Sequence, residues 1–171
     1  MSGIALFRVL VLLVCGLGPA GASAVTINLF ASLGGAQEVP SNPSPGSGTA
    51  TVTFDDVTNM LDWNVTFSDL SGAATAAHFH GPAPAGANAG VQVDIGAISG
   101  LNSPMVGSTA ITAGQAADLL AGLWYINIHT AMYPGGEIRG QVQVVPLPAT
   151  AWLFLGGLAG LFGWNRFGKE R

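Results

Sequence analysis

The chain has 171 residues, of which only 8% are charged, against about 25% in an average soluble domain. Five Lys and Arg against nine Asp and Glu give a net charge of −4, which leaves no basic stripe for nucleic acid. Coiled coils and charge-rich disordered chains are excluded for want of Lys and Glu, and the length suits one domain with a substantial core.

Residues 1–24 read as a secretory signal. Arg8 supplies the positive charge, Val9–Leu17 is the apolar run, and Ala22-Ser23-Ala24 is a small-x-small cleavage site before Val25. The run is too short to span a bilayer. Val14 is too bulky for the residue before a lipidated cysteine, so Cys15 does not make this a lipoprotein. Cleavage removes Cys15, the only cysteine, so the mature chain has no disulfide and relies on packing or a bound metal.

Residues 25–145 form the domain. Eight acids against one base, Arg139, leave it at −7. The pattern is mostly period two: Leu61, Trp63, Val65 and Phe67 alternate with Asp62, Asn64, Thr66 and Ser68. Strands are predicted at Val25–Leu33, Thr49–Phe54, Thr75–His80, Val91–Ile95, Leu123–Thr130 and Glu137–Val145 as well. Gly/Pro/Ser/Asn clusters at Pro40–Gly48 and Gly81–Gly90 read as loops. Thr112–Ala121 is the one helical stretch, with Thr112 as N-cap and Gly122 as stop. Seven or so short strands with little helix predict an all-β fold, an antiparallel Greek-key sandwich or barrel with one short helix.

Residues 146–171 form a tail. Val145-Pro146-Leu147-Pro148-Ala149 leads into an apolar run, Ala149–Trp164, followed by Arg166, Lys169 and Arg171. Sixteen helical residues rise about 24 Å, slightly short of the hydrocarbon core. Trp152 and Trp164 sit near the ends of the run, where indoles favour the interface, and the basic cluster would stay cytoplasmic. Motif, apolar span and basic end together resemble the PEP-CTERM sorting signals, in their VPLPA variant. That resemblance implies a membrane helix, transient inner-membrane anchoring, recognition by an exosortase-type enzyme, and delivery to the cell surface or beyond.

The strand pattern also places the chemistry. If Trp124, Ile126 and Ile128 face the core, then Tyr125, Asn127 and His129 face outward. By the same alternation His78 and His80 point outward beside inward Ala77 and Phe79, as do Glu137 and Arg139 beside inward Ile138. His78-Phe79-His80 sets two imidazoles on one face at a spacing suited to a shared metal, and His129 is the only other imidazole available. Three nitrogens suit Cu(II) or Zn(II) with coordination positions left open. The competing reading has these histidines bonding locally to the Gly81-Pro82 and Pro134-Gly135-Gly136 turns. Arg139 either draws an anion toward that site or pairs with Glu137 or Asp94, the structural role being the commoner one. Asp55-Asp56 reads as a solvated turn before a cation site. Ser/His/Asp spacings, phosphate-cradling glycine loops and Cys/His zinc ribbons are lacking in the sequence.

Three blocks in order, Leu33-Gly34-Gly35-Ala36-Gln37-Glu38-Val39-Pro40, His78-Phe79-His80-Gly81-Pro82, and His129-Thr130-Ala131 through Pro134-Gly135-Gly136-Glu137-Ile138-Arg139-Gly140-Gln141, resemble the CHRD domain, over nearly all of residues 26–144. The resemblance implies a secreted β-rich module without naming its role. His-x-His, a later strand-borne His and a Gly-flanked Arg are also similar to the copper site of Cu/Zn superoxide dismutase, although this chain lacks a zinc loop, a bridging His and a disulfide. The sequence therefore supports a non-catalytic surface or extracellular module that binds an envelope or matrix polysaccharide or protein. The alternative is a mononuclear copper or zinc protein with at most weak redox activity.

Overall fold

The computed structural model describes residues 25–146. Residues 1–24, read as a signal peptide, and residues 147–171 of the expected sorting tail lie outside the described residues. Nine strands follow in order: β1 (Thr26–Gly34), β2 (Ser47–Asp55), β3 (Met60–Ser68), β4 (Ala74–His80), β5 (Val91–Asp94), β6 (Met105–Ala110), β7 (Tyr125–Thr130), β8 (Ile138–Gln141) and β9 (Gln143–Val144). Among the described residues, two α-helices, α1 (Ile95–Ser99) and α2 (Ala113–Leu120), and a short 3-10 turn (Gly35–Gln37) interrupt them. Every pairing is antiparallel, in one sheet ordered β5-β4-β7-β8-β1-β2-β3-β6, with β9 also on β1. The all-β expectation agrees with this, and the architecture is a single curled sheet.

The alternation does the folding. Leu29, Ala31 and Leu33 on β1, Ala50, Val52 and Phe54 on β2, and Leu61, Trp63 and Val65 on β3 are all buried. Nine uninterrupted residue pairs join β1 to β2, and nine join β2 to β3, because a one-residue slip would turn this whole set to water. The sheet curls until β3 meets β4 across the core. Trp63 and Phe79 pack edge to face at 5.6 Å between ring centroids, and Phe79 lies 5.9 Å from Trp124. A fully buried ring such as Phe79 contributes up to about 3 kcal/mol. The Trp63 indole donates to Ser99 Oγ at 2.9 Å, which fixes α1 between β4 and β6.

Local chemistry sets the boundaries. Asp55 Oδ1 accepts from the backbone of Val57 and Thr58, so this acid closes the β2–β3 turn, and Asp56 accepts from Val25 N. Thr112 and Gln115 form a reciprocal capping box at the start of α2, and Gly122 follows its end at φ +72°. The last predicted strand is divided: β8 pairs with β7, Val142 turns into the core and donates to Trp124 O, and β9 pairs with β1. Val91–Ile95 ends one residue early, since Asp94 accepts from Ala97 N and starts α1 at Ile95. Strand β6 and helix α1 are additions that the sequence pattern did not predict.

Candidate metal centre

The outer face of β4, β7 and β8 is less open than strand alternation suggests. Two loops cross it, residues 35–46 and residues 81–90. Asn42 Nδ2 donates to the carbonyls of Gly136 and Glu137, and Asn88 Nδ2 donates to Val39 O, joining one loop to the other. As a result Tyr125 (2% exposed), Asn127 (4%), Glu137 (0%) and Arg139 (1%) are buried. Arg139 and Glu137 are thus on the outer side of their strand but shielded from solvent, for a residue on the outer face of a sheet is exposed only where no loop covers it.

The three histidines remain at the partly open end of this layer. Strand register sets His78 opposite Asn127, His80 opposite Tyr125, and His129 opposite Ala76, so β4 and β7 bring all three imidazoles to one patch. One ring nitrogen from each lies within 4.8 Å of the others, and His78 Nδ1 is 3.3 Å from His129 Nε2. Two ligands on one tetrahedral ion with bonds near 2.05 Å stand roughly 3.4 Å apart. The His78–His129 pair already has that separation.

Backbone carbonyls fix the tautomers of two rings. His80 Nδ1 lies 3.0 Å from Ala89 O, and His129 Nδ1 lies 3.0 Å from Pro134 O. A carbonyl only accepts, so each Nδ1 carries the proton and each Nε2 presents its lone pair. This is the outer-shell bond that metal-binding histidines make. The Nε2 of His80 is buried without a hydrogen-bond partner. Burial pushes the imidazolium forms of His80 and His129 below the usual 6.5, against a smaller opposing effect from the carbonyl bonds, and so favours the neutral rings that coordinate metals.

Behind His80 stands a stack that the sequence did not suggest. The His80 ring lies parallel to Tyr125 at 5.0 Å, and the Arg139 guanidinium carbon sits 3.4 Å from the other ring centroid. Tyr125 Oη accepts from Ala89 N, the residue whose carbonyl holds His80. Arg139 donates to Asn88 Oδ1 at 2.9 Å and to Ala87 O at 2.7 Å. Neither Glu137 nor Asp94 pairs with it: Glu137 is fully occupied by Ser44, Ser71 and Thr130, and Asp94 caps α1. A cation so enclosed fastens the 81–90 loop over the sheet and has almost no surface with which to guide an anion.

The acid whose field reaches Arg139 is Glu38, from the first of the three sequence blocks. Burial pushes its carboxyl up to about 7, only partly offset by Arg139 and by Asn127, whose amide lies 3.4 Å from Glu38 Oε2. Gly136, at φ +135°, permits this packing, since a Cβ there would stand 2.7 Å from Glu38 Oε1 and against the Asn127 amide.

Of the residues expected to form a sorting motif, Val145 and Pro146 are described, and the Val145 backbone N–H donates to Asn28 O at 2.8 Å. Leu147, Pro148 and Ala149 lie outside the described residues. Among those described, no helix is long and apolar enough to cross a membrane. The family model of the CHRD domain matches residues 29–142. No curated protein and no solved structure matches the chain.

Proposed function

Because the chain belongs to the CHRD domain family, we propose that it is an exported, non-catalytic binding module whose own small ligand is one Cu(II) or Zn(II) ion held by His78, His80 and His129. The observation that carries this reading is the convergence of His78, His80 and His129, one ring nitrogen of each lying within 4.8 Å of the others, together with a buried His80 Nε2 that has no hydrogen-bond partner. A buried acceptor left without a partner costs roughly 1–3 kcal/mol, and a metal bond removes that cost. Three nitrogens leave a coordination position for water or a small anion. Three histidines are all the chain has, so a second, bridged zinc site of the superoxide dismutase kind has no ligands, and the proposal stops at metal binding.

Export and sorting belong to the same proposal. The signal at 1–24 sends the chain across the inner membrane, and the tail holds it there briefly. An exosortase-type enzyme then acts at Val145-Pro146-Leu147-Pro148-Ala149 and passes the module to the cell surface or the medium. Val145 follows β9 directly and donates to Asn28 O of β1, so the stretch read as the motif begins where the folded sheet ends in the chain.

The test uses the full chain, stripped with chelator and dialysed against equimolar Cu(II) and Zn(II), with bound metal measured by elemental analysis. His78→Ala and His129→Ala run beside the parent. Near-stoichiometric metal in the parent and its loss in both variants is the expected result. Metal-free parent and variants, all with the same circular dichroism, overturn the reading and leave the histidines as local hydrogen-bonding groups.

A further inference from the structure

We propose that the outward face of β9-β1-β2-β3-β6, on the part of the sheet away from the histidines, binds a neutral polysaccharide. This goes beyond the metal reading and rests on different residues. The face is regular: the β1–β2 and β2–β3 pairings run without a bulge, whereas both pairings of β4 are interrupted. Register aligns Ser32, Thr49 and Thr66 in one row across the strands, and Phe30, Thr51 and Asn64 in the next. All six side chains are exposed. Two shallow depressions of about 370 and 420 Å³ lie side by side on it, one around Thr51 and Asn64, the other around Thr49 and Thr66.

The chemistry of the face selects the partner. Lys and Arg are absent from the outward positions of these strands. Their two acids are Asp62 and, at the rim, Asp55, whose carboxylate is engaged by the turn backbone. Solvated protein surfaces ordinarily carry both signs of charge at about 25–35% of positions. A face almost without charge offers no steering to nucleic acid, to an acidic polymer or to a lipid headgroup. It offers hydroxyls and an amide, each able both to donate and to accept, as the 3.1 Å contact between Thr49 and Thr66 hydroxyls illustrates. Phe30, 42% exposed in the middle of these polar rows, adds an apolar platform. Dense hydroxyls around one aromatic ring match a polymer that is itself hydroxyl-rich, uncharged and apolar on its ring faces.

Affinity electrophoresis of the full chain in gels containing dextran, a β-glucan or agarose tests this, with alginate and heparin as charged controls. The expected result is retardation by at least one neutral polymer and none by the charged ones. Phe30→Ala and Thr51→Lys are expected to weaken it about tenfold or more, a loss of about 1.4 kcal/mol. Ala117→Lys, on the exposed side of α2, should leave it unchanged, as should His78→Ala, so the metal and polysaccharide readings fail separately. Three outcomes overturn the proposal: no retardation by any neutral polymer, equal retardation in Thr51→Lys, or a dimer in size exclusion that Thr51→Lys converts to monomer. The last would assign the face to a second copy of this chain.

Discussion

His78 and His129, 51 positions apart in the chain, meet with 3.3 Å between Nδ1 of the first and Nε2 of the second. Two neutral imidazoles at that distance share one proton as a hydrogen bond or share one metal ion through both lone pairs. The carbonyl of Pro134 decides the His129 side of this contact, because it accepts a hydrogen bond from Nδ1–H and so leaves the bare Nε2 that lies toward His78. The Ala89 carbonyl likewise accepts from His80 Nδ1–H and leaves that ring's Nε2 unprotonated.

The metal-free protein should therefore show His80 and His129 as Nδ1-protonated tautomers. Long-range ¹⁵N–¹H correlation spectra at pH 7.5 distinguish the two ring nitrogens directly. Nε2-protonated rings at either position would remove the lone pair on which the metal proposal depends.

Glu38 predicts a stability that falls with rising pH. Its folded-state carboxyl titrates at about 7 against 4.5 unfolded, so between those values the folded protein binds the extra proton. The full penalty is present above about pH 7 and amounts to something on the order of 3 kcal/mol. His80 and His129 contribute the opposite slope, since burial lowers them and the unfolded state is the one that takes up protons just below pH 6.5. The Glu38 contribution is thus read as a difference. Urea unfolding at pH 5 and pH 8 should show Glu38→Gln gaining on the parent at the higher pH, and an equal offset at both would contradict the assignment.

Glu137 acts in the other direction. Burial alone would raise its carboxyl, yet Ser44 Oγ, Thr130 Oγ1, and the backbone and hydroxyl of Ser71 together hold it below 4.5. Two donors reach each oxygen, so the charge is satisfied without a cation. Its contribution is complete above pH 4.5 and is lost as pH falls through the lowered value. Glu137→Gln sets an amide N–H against groups that themselves donate. The expected cost is about 3 kcal/mol and roughly 10 °C in melting temperature, measured at pH 7. A shift within a degree or two of the parent would remove Glu137 as the joint between the loop carrying Ser44 and the end of β7.

Much of the β framework was legible in the chain because burial alternates along a strand with period two. Leu61, Trp63 and Val65 disclose β3 without any knowledge of its neighbours, and Thr112 with Gln115 discloses the start of α2 through local hydrogen bonds alone. Strand β6 escaped because only Met105 of its six residues is buried, and Gly107 interrupts the pattern. Helix α1, five residues long, is shorter than two turns and has no periodicity to read.

The site divides along the same line. The sequence by itself put His78 and His80 on one side of one strand, since alternation is a property of the strand alone. Which strand lies beside it, and hence whether His129 arrives, depends on pairing between segments some 50 residues apart, and only the folded sheet decides that. Whether an outer face meets water is likewise a matter of where loops 35–46 and 81–90 come to rest. That is why Arg139 and Glu137, placed on the outer face by their strand, are found buried beneath loops in the fold.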